Sequence, residues 1–322
     1  MKKILSVFLS VLLLTLSLTG CSTEAPVQDS DHLRIVTTVF PEYDWVREII
    51  KGNEENIDLN LLLKNGVDLH SYQPTTQDMV SIAEADVLIY VGGQSDSWVS
   101  DALASSENEN RIVIDLFDVL KDTLKPLKET EGMEHHDHDH HHEGVNDEHV
   151  WLSLKRTMTA VDTIADQIAQ ADPDHASLYR SNADSYLKEL ENLDRQYQET
   201  VDNSRLDTVI FADRFPFFYM MDDYGVNYYA AFTGCSAESE ASFETVAFLS
   251  GKVDELQSTV LLKIENCTHR IPETIIENTK THGQKILEMN SIQSVTSRQI
   301  ENGLTYLDVM KDNLEVLKQA LQ

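Results

Sequence analysis

The chain has few of the features that usually mark a function. Only three of its 322 residues are cysteine: Cys21, Cys235 and Cys267. The last two allow at most one disulfide in an oxidising compartment, and their spacing is not that of a zinc knuckle, so no cysteine-built metal site is expected. Basic side chains are scarce as well, 25 against 55 acidic ones, for a net charge of −30. Such a polyanion is a poor partner for nucleic acid or for anionic lipid headgroups. Beyond the first twenty residues no run is long and apolar enough to span a bilayer. HExxH and a nucleophile elbow are missing, and outside one histidine-rich run no histidines pair at helical spacing, which argues against a zinc hydrolase. No repeat of solenoid length occurs. The hydrophobic content of 41% is nevertheless enough for real cores, in one large domain or two smaller ones.

The first residues read MKKILSVFLSVLLLTLSLTGC. Lys2 and Lys3 precede an apolar run and small residues, the pattern of a secretory signal over residues 1–21. Leu18 to Cys21, LTGC, resembles the bacterial lipobox, in which the cysteine is lipidated and becomes the new N-terminus. Residues 22–32 then read as a polar tether. The expectation is a protein outside the cytoplasm, lipid-anchored to the outer face of the bacterial cytoplasmic membrane, which it does not cross.

From residue 33 onwards, β-branched apolar runs alternate with segments of helical periodicity. LRIVTTVF, NIDLNLLLK and DVLIYVGG read as strands, and PEYDWVREIIKG and TTQDMVSIAEA as helices, the latter with Thr75 or Thr76 as N-cap. IVIDLFDVL continues the alternation. After Pro173, apolar residues recur every three or four positions from Leu178 to Tyr197, which predicts one long helix. The alternation then restarts: DTVIFAD, VNYYAAF, STVLLKIEN and QKILEMN as strands, RIPETIIENTKTHG among the helices. The predicted fold class is α/β: an N-terminal lobe over residues 33–172 and a C-terminal lobe over 204–322. Each lobe carries a mainly parallel sheet, and one rigid linker helix over 173–203 joins them.

Residues 128–148 interrupt this pattern. EHHDHDHHHE, over 134–143, holds His135, His136, His138, His140, His141 and His142. So polar a segment cannot bury enough surface to offset its ordering entropy, and it reads as a loop. It is internal and interleaved with aspartate, unlike a purification tag. Imidazoles in this density can chelate zinc in many interchangeable pairs, which suggests a metal-capture loop.

Open α/β lobes bind ligands beyond the carboxyl ends of their strands. His70, His149, Asp213, Glu265 and Asn290 all fall at such positions, and a cleft between the lobes is where they would converge. Imidazole and carboxylate together suit zinc, or manganese if oxygen ligands dominate.

Three stretches carry a family resemblance. GVDLHSYQPTTQDMVSIAEADVLIYVGG, NDEHVWLSL and FPFFYMMDDYGV resemble motifs of the cluster A-I solute-binding lipoproteins of bacterial zinc and manganese ABC importers. The likeness extends over nearly all the chain after Cys21, and the His/Asp loop before the second motif is typical of the zinc-specific branch. The resemblance implies a divalent metal held between two lobes, delivery to an ABC importer membrane permease, and no catalysis. It implies His70 and His149 as the first two ligands. The third ligand position falls on Arg214, whose guanidinium has no lone pair to offer, and the fourth on Asn290, which offers only a neutral carbonyl oxygen. Either Asp213 or Glu265, ranked first because both sit at strand ends, or one of the acids Glu238 and Glu240 is therefore expected to complete the coordination, unless the N-terminal lobe holds the metal mainly by itself. The competing reading of Asp213 and Arg214 is a local ion pair. Zn2+ is the expected ion and Mn2+ the alternative.

Overall fold

The computed structural model describes residues 32–104, 108, 110–134, 145–234 and 240–322. The signal, most of the tether, Cys21, Cys235, Glu238 and the six histidines of the capture loop lie outside the described residues. Among the described residues, no helix is long and apolar enough to cross a membrane.

The N-terminal half runs β1 (Leu33–Thr37), α1 (Phe40–Ile49), β2 (Ile57–Leu61), α2 (Thr76–Glu84), β3 (Val87–Tyr90), α3 (Trp98–Ala104), β4 (Ile112–Asp115) and α4 (Leu116–Val119). The strands pair in parallel in the order β2-β1-β3-β4. Local chemistry sets these boundaries. Thr75 and Asp78 form a reciprocal capping box at the start of α2. β4 stops at Asp115, whose carboxylate accepts the N–H groups of Phe117 and Asp118 and so starts a helix.

Two helices follow, α5 (Leu154–Ala171) and α6 (Ala176–Asp202). α6 has 27 residues, about 40 Å at ~1.5 Å per residue. It buries Tyr179, Ala183, Tyr186, Leu190, Leu193 and Tyr197, the stripe foreseen from their spacing. Near its start, Asn182 Nδ2 donates to the Ile49 carbonyl at 2.9 Å, on the N-terminal half. Near its end, Asp194 accepts from Tyr224 Oη at 2.9 Å, on the C-terminal half.

The C-terminal half runs β5 (Thr208–Phe215), α7 (Phe218–Tyr224), β6 (Asn227–Thr233), α8 (Phe243–Leu256), β7 (Val260–Ile264), α9 (Ile271–Glu277), β8 (Lys285–Met289), α10 (Ser297–Glu301) and α11 (Tyr306–Ala320). Its parallel order is β6-β5-β7-β8, the same topology as the first sheet. α9 ends at Glu277, short of the expected helix. Thr279 Oγ1 donates to the Ile276 carbonyl at 2.8 Å and competes with the helical N–H for that acceptor. β5 extends through Phe215, so Asp213 lies inside a strand rather than after one. The β5–β6 register shifts between Phe211 and Arg214, an irregularity that turns Asp213 away from simple strand alternation.

Candidate metal centre

In each sheet the strand order reverses beside the first strand, between β1 and β3 and between β5 and β7, and open α/β sheets bind ligands at that switch point. His70 sits in a single 3-10 turn, Leu69–Ser71, beyond β2. The Asp68 carboxylate starts that turn by accepting the His70 backbone N–H at 2.9 Å. His149 precedes another 3-10 turn, Val150–Leu152, and is fully buried. Asp147 holds it twice, accepting from its backbone N–H and from Nδ1, both at 2.9 Å.

The two rings meet. His70 Nε2 lies 3.2 Å from His149 Nε2. Two nitrogens at ~2.05 Å from a tetrahedral zinc ion would stand ~3.3 Å apart, so the pair already has the spacing that a shared ion requires. The far nitrogen of each ring is engaged: His149 Nδ1 on Asp147, and His70 Nδ1 on Ser95 Oγ at 2.8 Å. An anchored Nδ1 fixes the ring orientation and leaves Nε2 for the ion. Ser95 is itself steadied, since its N–H donates to Glu148 at 3.0 Å. A Cβ on Gly93 would stand only 2.5 Å from Glu148, so the close approach of these two loops needs glycine there.

The electrostatics of the two rings differ. Burial, the charge of His149 and the Arg214 guanidinium hold His70 down at about 4, against the opposing pull of Asp68 and Glu148. Burial also works against charge on His149, but the ion pair and hydrogen bond with Asp147, aided by Glu148 and Asp68, outweigh it and raise this ring above the usual histidine range. The carboxylates around the two rings, Asp147, Glu148 and Asp68, make a setting that suits a cation.

The other expected ligands behave differently. Among the described residues, neither Asp213 nor Glu265 hydrogen-bonds the histidine pair. Glu265 accepts from Ser291 N–H at 2.7 Å and from Ser291 Oγ at 2.6 Å. Trp151, stacked edge-on to His149, donates its indole N–H to the Ser291 carbonyl at 2.9 Å. Asp213 Oδ1 lies 3.2 Å from His269 Nε2, and Oδ2 accepts the Ile264 N–H at 3.3 Å. The Arg214 guanidinium reaches Asp68 rather than pairing with Asp213, whose carboxylate accepts the Arg214 backbone N–H. Asn290 Oδ1 accepts from Ile292 N–H at 2.8 Å, in a turn that holds Ile292 at φ 63°, an uncommon conformation for a β-branched residue. Glu240 is exposed.

Sequence reasoning missed Asp68, Ser95, Asp147 and Glu148, which orient the rings. It also missed Cys267 and His269, which gather around Asp213. The available signal was C-x-H, two residues after the apolar strand VLLKI.

The model of the family described as "Zinc-uptake complex component A periplasmic" matches residues 35–320. The zinc-binding lipoprotein AdcA of Streptococcus pneumoniae is 30% identical over 324 residues, covering 99% of this chain and 61% of its own length. The high-affinity zinc uptake system protein ZnuA of Bacillus subtilis is 28% identical over 301 residues, covering 90% of this chain and 88% of its own. Relatives in Streptococcus pyogenes are matched over 55% of their length, so the chain spans little more than half of these streptococcal proteins. Among solved structures, the Zn(II)-bound ZnuA-like domain of S. pneumoniae AdcA superposes with a TM-score of 0.71 at 26% identity, over 90% of this chain and 99% of that domain.

Proposed function

The chain belongs to the zinc-uptake complex component A family, and from that premise we propose that it is an extracytoplasmic zinc-binding protein that captures the ion and hands it to the membrane permease of an ABC importer. Its part is binding and release, not chemical conversion. The observation that carries this reading is the 3.2 Å approach of His70 Nε2 to His149 Nε2, with both far nitrogens already held.

His70 and His149 are the ion's principal ligands. Residues 33–172 and 204–322 act as the two lobes, with 173–203 as the rigid link between them. Glu265 is the carboxylate best suited to complete the shell from the C-terminal half, by giving up its Ser291 contacts. Asn290 and Arg214 line the site without ligating. Two imidazoles favour zinc over manganese, which prefers oxygen. Loss of His70 or His149 should weaken zinc binding by at least a hundredfold, since each removes half of a two-nitrogen chelate; chelator competition on His70→Ala and His149→Ala measures this. Wild-type affinity in both variants refutes the assignment.

Two further parts of the reading rest on sequence. Cys21 is the lipid anchor, and Cys21→Ala should move the protein from the membrane fraction to the medium. The segment 134–143 is a capture loop for zinc, weaker than the cleft because each chelating arrangement must order the chain. Its deletion should lower zinc stoichiometry while leaving the tightest site intact.

A further inference from the structure

We propose that Asp213, Cys267 and His269 form a second, exchangeable site for a zinc-class divalent cation, built on the C-terminal sheet and separate from the His70–His149 pair. The site stands at the switch point of that sheet. Asp213 comes from the end of β5, and Cys267 and His269 from the loop after the adjacent β7.

Three observations converge. The first is spacing: one donor atom from each residue lies within 4.8 Å of the other two. His269 Nε2 stands 3.2 Å from Asp213 Oδ1 and 3.6 Å from Cys267 Sγ. Around a tetrahedral zinc with Zn–N ~2.05 Å and Zn–S ~2.3 Å those edges would be ~3.4 and ~3.6 Å. The second is preparation. The Asp213 carboxylate is buried and already fixed by the N–H groups of Arg214 and Ile264, as metal-binding carboxylates commonly are. The β5 irregularity and the left-handed turn at Asn266, φ 59°, bring the two strand ends to face one another. The third is chemistry. A thiolate, an imidazole and a carboxylate make a borderline-soft set that suits zinc and disfavours manganese, magnesium and calcium.

Cys267 and His269 are partly exposed, so a fourth position stays open to solvent and an ion there can exchange. Burial and the neighbouring Asp213 push the thiol up to about 12, so an incoming cation displaces a proton from sulfur. Residues 213 and 214 serve opposite sides of β5: the aspartate faces this cluster, while the arginine reaches Asp68 beside His70. A cation held here waits next to the cleft.

The test is a Co2+ titration of the full chain under a phosphine reductant, reading the near-ultraviolet sulfur-to-cobalt charge-transfer band that only a thiolate ligand produces. The band should appear in the wild type and in the His70→Ala/His149→Ala variant, and disappear in Cys267→Ser. Asp213→Asn and His269→Gln should each weaken cobalt binding at the band by at least tenfold. Absence of the band in the wild type overturns the site, as does its persistence in Cys267→Ser. Loss of the band in the His70→Ala/His149→Ala variant overturns its separateness from the cleft. The chelator competition on the single histidine variants reads the cleft alone, so failure of one assignment is distinguishable from failure of the other.

Discussion

Arg214 Nη1 donates to Asp68 Oδ2 at 3.1 Å, while Asp68 Oδ1 holds the backbone of His70. One carboxylate therefore joins the end of β5 to the turn that carries His70, the proposed first ligand. The guanidinium cannot coordinate an ion, and its fixed charge next to His70 repels one. Replacing it with histidine removes the repulsion and adds a donor. Arg214→His should bind zinc about tenfold more tightly, on the order of 1.4 kcal/mol, as read by chelator competition. Unchanged affinity would place Arg214 outside the reach of the bound ion.

Gly234 offers a way to disturb the site without replacing either proposed ligand. A Cβ there would stand 2.9 Å from His149 Cε1 and 2.9 Å from the Phe215 carbonyl oxygen. The backbone contact cannot yield easily, so the imidazole must shift. Gly234→Ala should lower zinc affinity at least tenfold although His70, His149 and their partners are all unchanged in sequence, measured by the same competition.

Trp151 joins the two halves through its indole N–H on the Ser291 carbonyl, a fully buried hydrogen bond of 2.9 Å. Trp151→Phe leaves that acceptor unpaired and should destabilise the apo protein by ~1–3 kcal/mol. Denaturant unfolding measures it, and a change below ~0.5 kcal/mol would mean that the carbonyl finds another partner.

Behind the site lies a buried carboxyl pair. Burial, with Glu148 adding to it, pushes Asp96 up to about 7, and burial followed by the charge of Asp96 pushes Glu42 well above the usual range. An acid whose folded pKa lies above its unfolded value binds more protons in the native state between those values. Its contribution to stability is therefore lost as pH rises from about 4 to about 7. Asp96→Asn removes the titration. Relative to the wild type it should gain stability on going from pH 5 to pH 8, by an amount on the order of 1–3 kcal/mol. Parallel stability–pH curves for the two proteins would contradict the shift.

The sequence and the structure agree where one residue type answers one local demand. β-branched runs gave the strands, and the spacing from Leu178 to Tyr197 gave the long helix. His70 and His149 were legible as a histidine pair, and the structure brings their Nε2 atoms to 3.2 Å. What stayed hidden depends on register and on long-range pairing. Nothing in DTVIFADRF reveals that β5 slips against β6 and turns Asp213 toward Cys267 and His269. Nor does NDEHVWLSL show that Asp147, two residues before His149, is the anchor of its ring, because that contact exists only once the chain has turned. Ser95 and Glu148 reach His70 from distant points in sequence, and only the packed sheet brings them together.

Anomalous diffraction at the zinc absorption edge, on crystals of the zinc-loaded protein, tests the cleft assignment most directly. Zinc held by both rings gives a peak ~2.0–2.1 Å from His70 Nε2 and His149 Nε2 alike. A fully loaded protein with no peak between those two nitrogens would contradict it.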